Sequence, residues 1–248
     1  CDDPQRLPGC RWFPEGALNY AENLLRFDDD HEALVEIDEA ESRRVLTYRQ
    51  LRDQVALLAL WMTEAGVVPG DRVAGFMPNC IETVVAMLAT TSLGAVWSSC
   101  SPDFGMQGAV DRFGQITPRL LFTADGYYYN GKACDSLARA GDIARAIPEI
   151  ERVIVVPRLS DAPDLATIRD AVSWHACLNG EPTPLRCVPC RFDDPLFILY
   201  SSGTTGVPKC IVHGVGGTLI QHAKEHALHV DIGRDDRFFY FTTCGWMM

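Results

Sequence analysis

The chain has 248 residues, 47% of them hydrophobic and 22% charged, with a formal net charge of −11. That is enough apolar material for a sizeable core, and the acidic balance argues against a broad nucleic-acid surface. No run approaches the ~20 apolar residues of a membrane span, and the polar, proline-containing start CDDPQRLPGC reads neither as a signal nor as a transit peptide.

Thr47 with Gln50 three residues on forms a capping box, and Leu51, Val55, Leu58, Ala59 and Met62 follow at helical spacing up to Gly66. Pro69-Gly70-Asp71 is a turn, and Arg72 to Met77 reads as a buried strand. A helix is expected from Ile81 to Leu93, a strand from Ala95 to Ser99, a helix capped by Ser101 or Asp103 towards Ile116, and a strand from Arg119 to Thr123. A helix near Asp135 to Ile147 then leads to the strand Arg152 to Val156. Strands alternating with helices at this spacing predict an α/β fold of βαβ units, with largely parallel sheets flanked by helices.

The pattern weakens from Pro157 to Pro195, a stretch with six prolines that reads as a connecting region. It resumes with a strand Leu196 to Ser201, a glycine-rich loop, a strand Cys210 to His213, a helix from Thr218 to His229 and a strand Phe238 to Thr242. The organisation expected is a first α/β subdomain with an N-terminal extension over 1–156, the connection over 157–195, and the start of a second α/β subdomain over 196–248. The chain begins without Met and stops directly after an apolar run, so both ends are expected to be cut.

The ten cysteines are scattered in apolar or helical contexts, a usage that fits a reducing, cytoplasmic setting. Cys187 and Cys190 form a lone CxxC without the second ligand pair a zinc site needs. His222, His226 and His229 share helical spacing, but HAKEH is not HExxH, and an exposed or interfacial helix face is the reading preferred over a metal site. No metal ligand is therefore assigned. His213 follows a strand near the loop without an assigned role.

The strand FILY runs directly into Ser201-Ser202-Gly203-Thr204-Thr205-Gly206-Val207-Pro208-Lys209. Gly203 and Gly206 allow tight turns and close approach of an anion. The hydroxyls of Ser201, Ser202, Thr204 and Thr205 add donors, and Lys209 adds a positive charge within reach of phosphate oxygens. Net negative charge does not oppose this, since phosphates are held by local N–H groups. The loop is not a Walker A, because Pro208 stands before the lysine and Cys210 after it. The alternative is a solvated Gly/Ser/Thr turn, which would not need this ordered series after a buried strand.

YSSGTTGVPK resembles the signature loop of the acyl-adenylate-forming superfamily, which includes acyl-CoA synthetases, luciferases and peptide-synthetase adenylation domains. The segments WFPEGALNYAENLLR, GAVWSSCSPDFG and HGVGGTLIQHAKEHALHVDIGRDDRFFYFTTCGWMM extend the resemblance over essentially the whole chain. Within the superfamily they are most similar to synthetases acting on short acids, with acetoacetate ahead of acetate or propionate. The resemblance implies an AMP-forming ligase that uses ATP, Mg²⁺ and CoA as co-substrate, and a partial N-terminal domain whose C-terminal domain, in the same protein, is missing. It also implies that Ser201, Ser202, Gly203, Thr204, Thr205, Gly206 and Lys209 hold the ATP phosphates.

By the same resemblance Gly245 and Trp246 line the acyl pocket; an ordinary core Trp after a buried strand is the alternative. Ser101, Pro102 and Asp103 match a turn that contacts CoA, although helix capping explains them equally well. In Tyr129-Asn130-Gly131-Lys132 a Tyr stands where such relatives carry a CoA-contacting Arg, which leaves a phosphate clamp there without its Arg; an exposed surface lysine is the reading preferred for Lys132 over a partial substitute for that Arg. No catalytic residue is assigned within these residues. The reading from another class is a non-catalytic nucleotide-binding module.

Overall fold

The computed structural model describes residues 1–6, 8–39, 41–201 and 206–247. The short strand β1 (Ala17–Leu18) and helix α1 (Tyr20–Leu24) lead to a hairpin of β2 (Glu32–Ile37) and β3 (Arg43–Thr47). Helix α2 (Tyr48–Glu64) follows with the predicted capping box: Gln50 N donates to the Thr47 hydroxyl at 3.2 Å, and Thr47 N donates to Gln50 Oε1 at 3.0 Å.

The alternation then unfolds as expected. Strand β4 (Arg72–Phe76), helix α3 (Ile81–Ser92), strand β5 (Val96–Cys100), a 3₁₀ turn (Pro102–Phe104), helix α4 (Gly105–Phe113) and strand β6 (Leu120–Ala124) succeed one another. A hairpin of β7 (Gly126–Tyr129) and β8 (Lys132–Asp135) interrupts the series before helix α5 (Leu137–Ala146) and strand β9 (Arg152–Val156). Within the proline-rich connection lie β10 (Ala171–Ser173), α6 (Trp174–Cys177) and β11 (Cys190–Arg191). The chain continues through β12 (Pro195–Ser201), β13 (Lys209–Gly214), α7 (Val215–Lys224) and a π-helical turn (Glu225–His229).

One seven-stranded sheet, in the order β10-β9-β6-β4-β5-β12-β13, carries the molecule. Its strands are parallel except β13, which pairs antiparallel with β12 at the edge. Strands from both sides of the 157–195 connection thus share one sheet. Alternation divides the strand residues between two layers: Val73, Leu120, Phe122 and Ile154 pack under α2 and α3, whereas Ala74, Phe76, Leu121 and Val153 pack under α4 and α5. Burial on both faces is why the central strands read as continuous apolar runs.

Two expectations are corrected. Phe238 to Thr242 forms no strand, and Phe239 and Phe241 are exposed. An apolar run becomes a strand only beside a free backbone edge; β5, which this segment approaches, is already paired on both sides. The last helix starts three residues earlier than Thr218 and changes to π-helical hydrogen bonding at Glu225.

Candidate active site

The chain runs from β4 to β5 on one side and then back across β4 to β6 on the other, so the strand order reverses between β4 and β6: the connection leaving β4 feeds α3 on one face, and the one leaving β6 feeds α5 on the other. In open α/β sheets ligands bind outside the carboxyl ends of the strands at such a point. The segment 242–246 crosses the neighbouring carboxyl ends of β4 and β5. Asn79, after β4, donates to Thr242 O at 2.5 Å and accepts from Cys244 N at 2.9 Å. The Ser99 hydroxyl, on β5, donates to Cys244 O at 2.8 Å. Gly245 lies so close to β5 that a Cβ there would stand 2.8 Å from Cys100 Cα, so only glycine lets the chain pass.

Trp246 is 61% exposed and stands on the wall of a cavity of about 270 Å³. This is below the ~300 Å³ at which sites for drug-sized ligands begin. Its floor is set by sheet register. Phe197 of β12 pairs with Trp97 of β5 on one side and His213 of β13 on the other, so the three side chains form a row on one face. Gly75 of β4 makes room for the indole, since a Cβ there would meet the Trp97 ring at 2.7 Å. Thr83 and Met87 of α3 and Thr218 and His222 of α7 close the sides.

The polar groups here differ in their commitments. The Thr83 hydroxyl donates to Pro78 O at 2.8 Å, and that of Thr218 to Gly214 O at 2.7 Å. His222 Nδ1 shares a 3.3 Å hydrogen bond with the Tyr20 hydroxyl, whose pKa burial pushes up to about 12. Burial, then His226 and His213 nearby, lower the His222 pKa and favour the neutral imidazole. His213 Nε2 is buried and has no protein partner.

Of the residues expected to hold phosphates, Ser202, Gly203, Thr204 and Thr205 lie outside the described residues. Ser201 ends β12 and pairs with Lys209, the exposed first residue of β13. Gly206 has a φ of +127° with open space where a Cβ would be, a conformation that favours glycine. The base of the loop is fastened to the end of α4, because Gln115 donates to Pro208 O at 2.8 Å.

Ser101, Pro102 and Asp103 line a separate cavity of about 540 Å³ together with Arg44, Tyr127, Tyr129 and Arg158. Ser101 caps the 3₁₀ turn, accepting from Asp103 N at 3.3 Å, and donates to Asp103 Oδ2 at 2.7 Å. Tyr127 donates to Asp103 Oδ1 at 2.6 Å. Tyr129 and Lys132 flank the Asn130-Gly131 turn, whose two N–H groups donate to the Glu39 carboxylate at 2.8 and 2.7 Å. Asn-Gly between YYY and KACD is the hairpin signal that marks β7 and β8.

At the wall of this second cavity Glu36 and Glu82 bracket Arg44 at 2.8 Å each, and Arg158 reaches Glu36 at 2.6 Å. Ile81 N, at the start of α3, adds a 2.9 Å bond to Glu36. Nothing local in the sequence announces this cluster, which gathers three distant segments. His222 and His226 stack with ring centroids 5.9 Å apart. Among the described residues no group of three His, Cys, Asp or Glu side chains could hold a metal ion.

A mostly parallel sheet with a crevice at its carboxyl ends and a glycine-rich loop leaving β12 defines a class, and the chain matches it by descent. Residues 21–248 match the model of the AMP-binding enzyme family, to which the chain belongs. It is a homologue of acetoacetyl-CoA synthetases: 48% identical to that of Rhizobium meliloti (strain 1021), over 99% of this chain and 38% of the relative. The structure of acetoacetyl-CoA synthetase from Streptomyces lividans superposes with a TM-score of 0.91 at 44% identity, covering 97% of this chain and 37% of that one. Malonamoyl-CoA synthetase of Penicillium aethiopicum is 42% identical over 97% of this chain and 35% of the relative. The chain therefore spans well under half the length of the proteins it matches.

Proposed function

We propose that the protein to which this chain contributes is an ATP-dependent acid–thiol ligase acting on acetoacetate. ATP and CoA are its co-substrates, and acetoacetyl-CoA, AMP and pyrophosphate are its products. The carrying observation is the 48% identity to an acetoacetyl-CoA synthetase across 99% of this chain. The cavity of about 270 Å³ beside Trp246 supports an acid of few carbons.

In this reading Ser201 to Lys209 hold the phosphates of ATP, with Lys209 placed to offset their charge. Gly245 and Trp246 close the acyl cavity, and Ser101 to Asp103 border the approach of CoA. Mg²⁺ accompanies the nucleotide, and no described residue is assigned to it. At about a third of its relatives' length, this chain alone is expected to release no pyrophosphate.

The test is pyrophosphate release by the product of the complete reading frame, with ATP and a panel of short acids. Acetoacetate is expected to give the highest kcat/KM. Preference for acetate or propionate overturns the substrate, and no ATP-dependent release with any acid favours a non-catalytic nucleotide-binding module.

A further inference from the structure

The cavity beside Trp246 is lined mainly by apolar groups, yet one of its lining residues, His213, carries a buried polar atom that the protein leaves unsatisfied. Among the described residues two buried side-chain N or O atoms lack a hydrogen-bond partner, Ser136 Oγ and His213 Nε2, and of the two residues only His213 lines this cavity. Native interiors rarely leave such a group orphaned, and each instance calls for a reason. Around it both threonine hydroxyls and one imidazole nitrogen are spoken for. Thr83 and Thr218 donate to backbone carbonyls, and His222 Nδ1 is engaged with Tyr20.

Position adds to chemistry. His213 stands in register with Phe197 and Trp97, three adjacent strands contributing one side chain each to the same floor. The imidazole is thus held on a sheet rather than on a mobile loop, the arrangement that fixes a donor to within a fraction of an ångström.

We propose that His213 is a specificity-determining residue whose Nε2–H donates a hydrogen bond to an oxo oxygen on the third carbon of the acid. The inference rests on the reading of the protein as a short-acid ligase and deepens it. A carbonyl oxygen only accepts, and the His213 imidazole can offer it an N–H that no protein group takes up. The acyl groups named for the relatives, acetoacetyl and malonamoyl, share a carbonyl at that carbon. An acid with a methylene there, such as butyrate, would fill the same space and leave Nε2 unpaired. Rejection of an analogue that strands a buried donor is the stronger mode of discrimination.

The experiment uses the product of the complete reading frame, wild type and with His213→Phe or His213→Gln, and follows pyrophosphate release with acetoacetate, malonamate and butyrate. The phenyl ring keeps bulk and removes the donor, and the amide keeps an N–H. In the wild type both oxo acids are expected to exceed butyrate. His213→Phe should lower the acetoacetate-to-butyrate ratio of kcat/KM by about 10- to 100-fold, and His213→Gln should restore part of it. A ratio unchanged in His213→Phe overturns the inference and leaves the acetoacetate reading standing. Equal loss with all three acids, or a raised KM for ATP alone, also overturns it, in favour of a structural or nucleotide role. A wild type that prefers butyrate removes the substrate reading and this inference together. Thermal melting of each variant separates lost folding from lost recognition.

Discussion

Strand β6, LLFTA, and the run FFYFT at 238–242 carry the same local signal, a short apolar stretch ended by threonine or alanine. The first is fully buried, with β4 on one side and β9 on the other. The second is tethered through Asn79 and Ser99 side chains and leaves Phe241 93% exposed. What separates them is the presence of an unpaired neighbouring edge and of a helix layer on each face. A run of apolar residues states what a segment can do; its neighbours decide whether it does.

That contrast can be broken most forcefully by truncation at each place. Phe122→Ala, in the core of β6, is expected to destabilise by about 3–5 kcal/mol, whereas Phe241→Ala should change stability by less than about 0.5 kcal/mol. Urea unfolding measures both, and similar losses would mean that the second run is packed after all. Next in size are the two close-approach glycines. Gly75→Ala drives a methyl into the Trp97 ring and should cost about 1–3 kcal/mol by overpacking. Gly245→Ala should leave the melting temperature within error but speed proteolytic cleavage between 237 and 247, because only the 242–246 crossing is pushed off β5. Equal melting shifts would refute the distinction.

The smallest effect probes the Glu36 cluster. Burial alone would raise the Glu36 pKa, but the Ile81 N–H, Arg158 and Arg44 outweigh it and hold it below the usual 4.5. A depressed carboxyl contributes stability that is present above pH 4.5 and lost as pH falls through its folded value. Glu36→Gln should therefore cost about 1 kcal/mol at neutral pH and flatten the decline of stability between pH 5 and 3. An unchanged acid limb would mean that other carboxylates control it.

Local pattern carried much of the fold. The Thr47–Gln50 capping box, the apolar period of α2 and the regular return of buried strands from β4 to β9 are all decided by neighbours in sequence. β10 was hidden because three residues after a proline-rich stretch are too few for periodicity to register, and β7 and β8 were missed although Asn130-Gly131 marks their turn. The site was less legible. Gly245 and Trp246 could be named from resemblance, yet the reason for glycine, the backbone of Cys100, lies 145 residues away in the chain. The pairing of Arg44 with Glu82, and the row Trp97–Phe197–His213, exist only once β5, β12 and β13 lie side by side.

That row has a consequence for the loop that joins β12 to β13. Only residues 202 to 208 stand between paired Ser201 and Lys209, so their number sets the parity of β13. A strand slipped by one residue turns every side chain to the opposite face. With one residue inserted Val212 would stand opposite Phe197 in place of His213, and with one removed Gly214 would. The length of the loop is thus a ruler for the cavity: a one-residue insertion absorbed by the hairpin would exchange an imidazole for an isopropyl group without substituting any residue of the cavity wall.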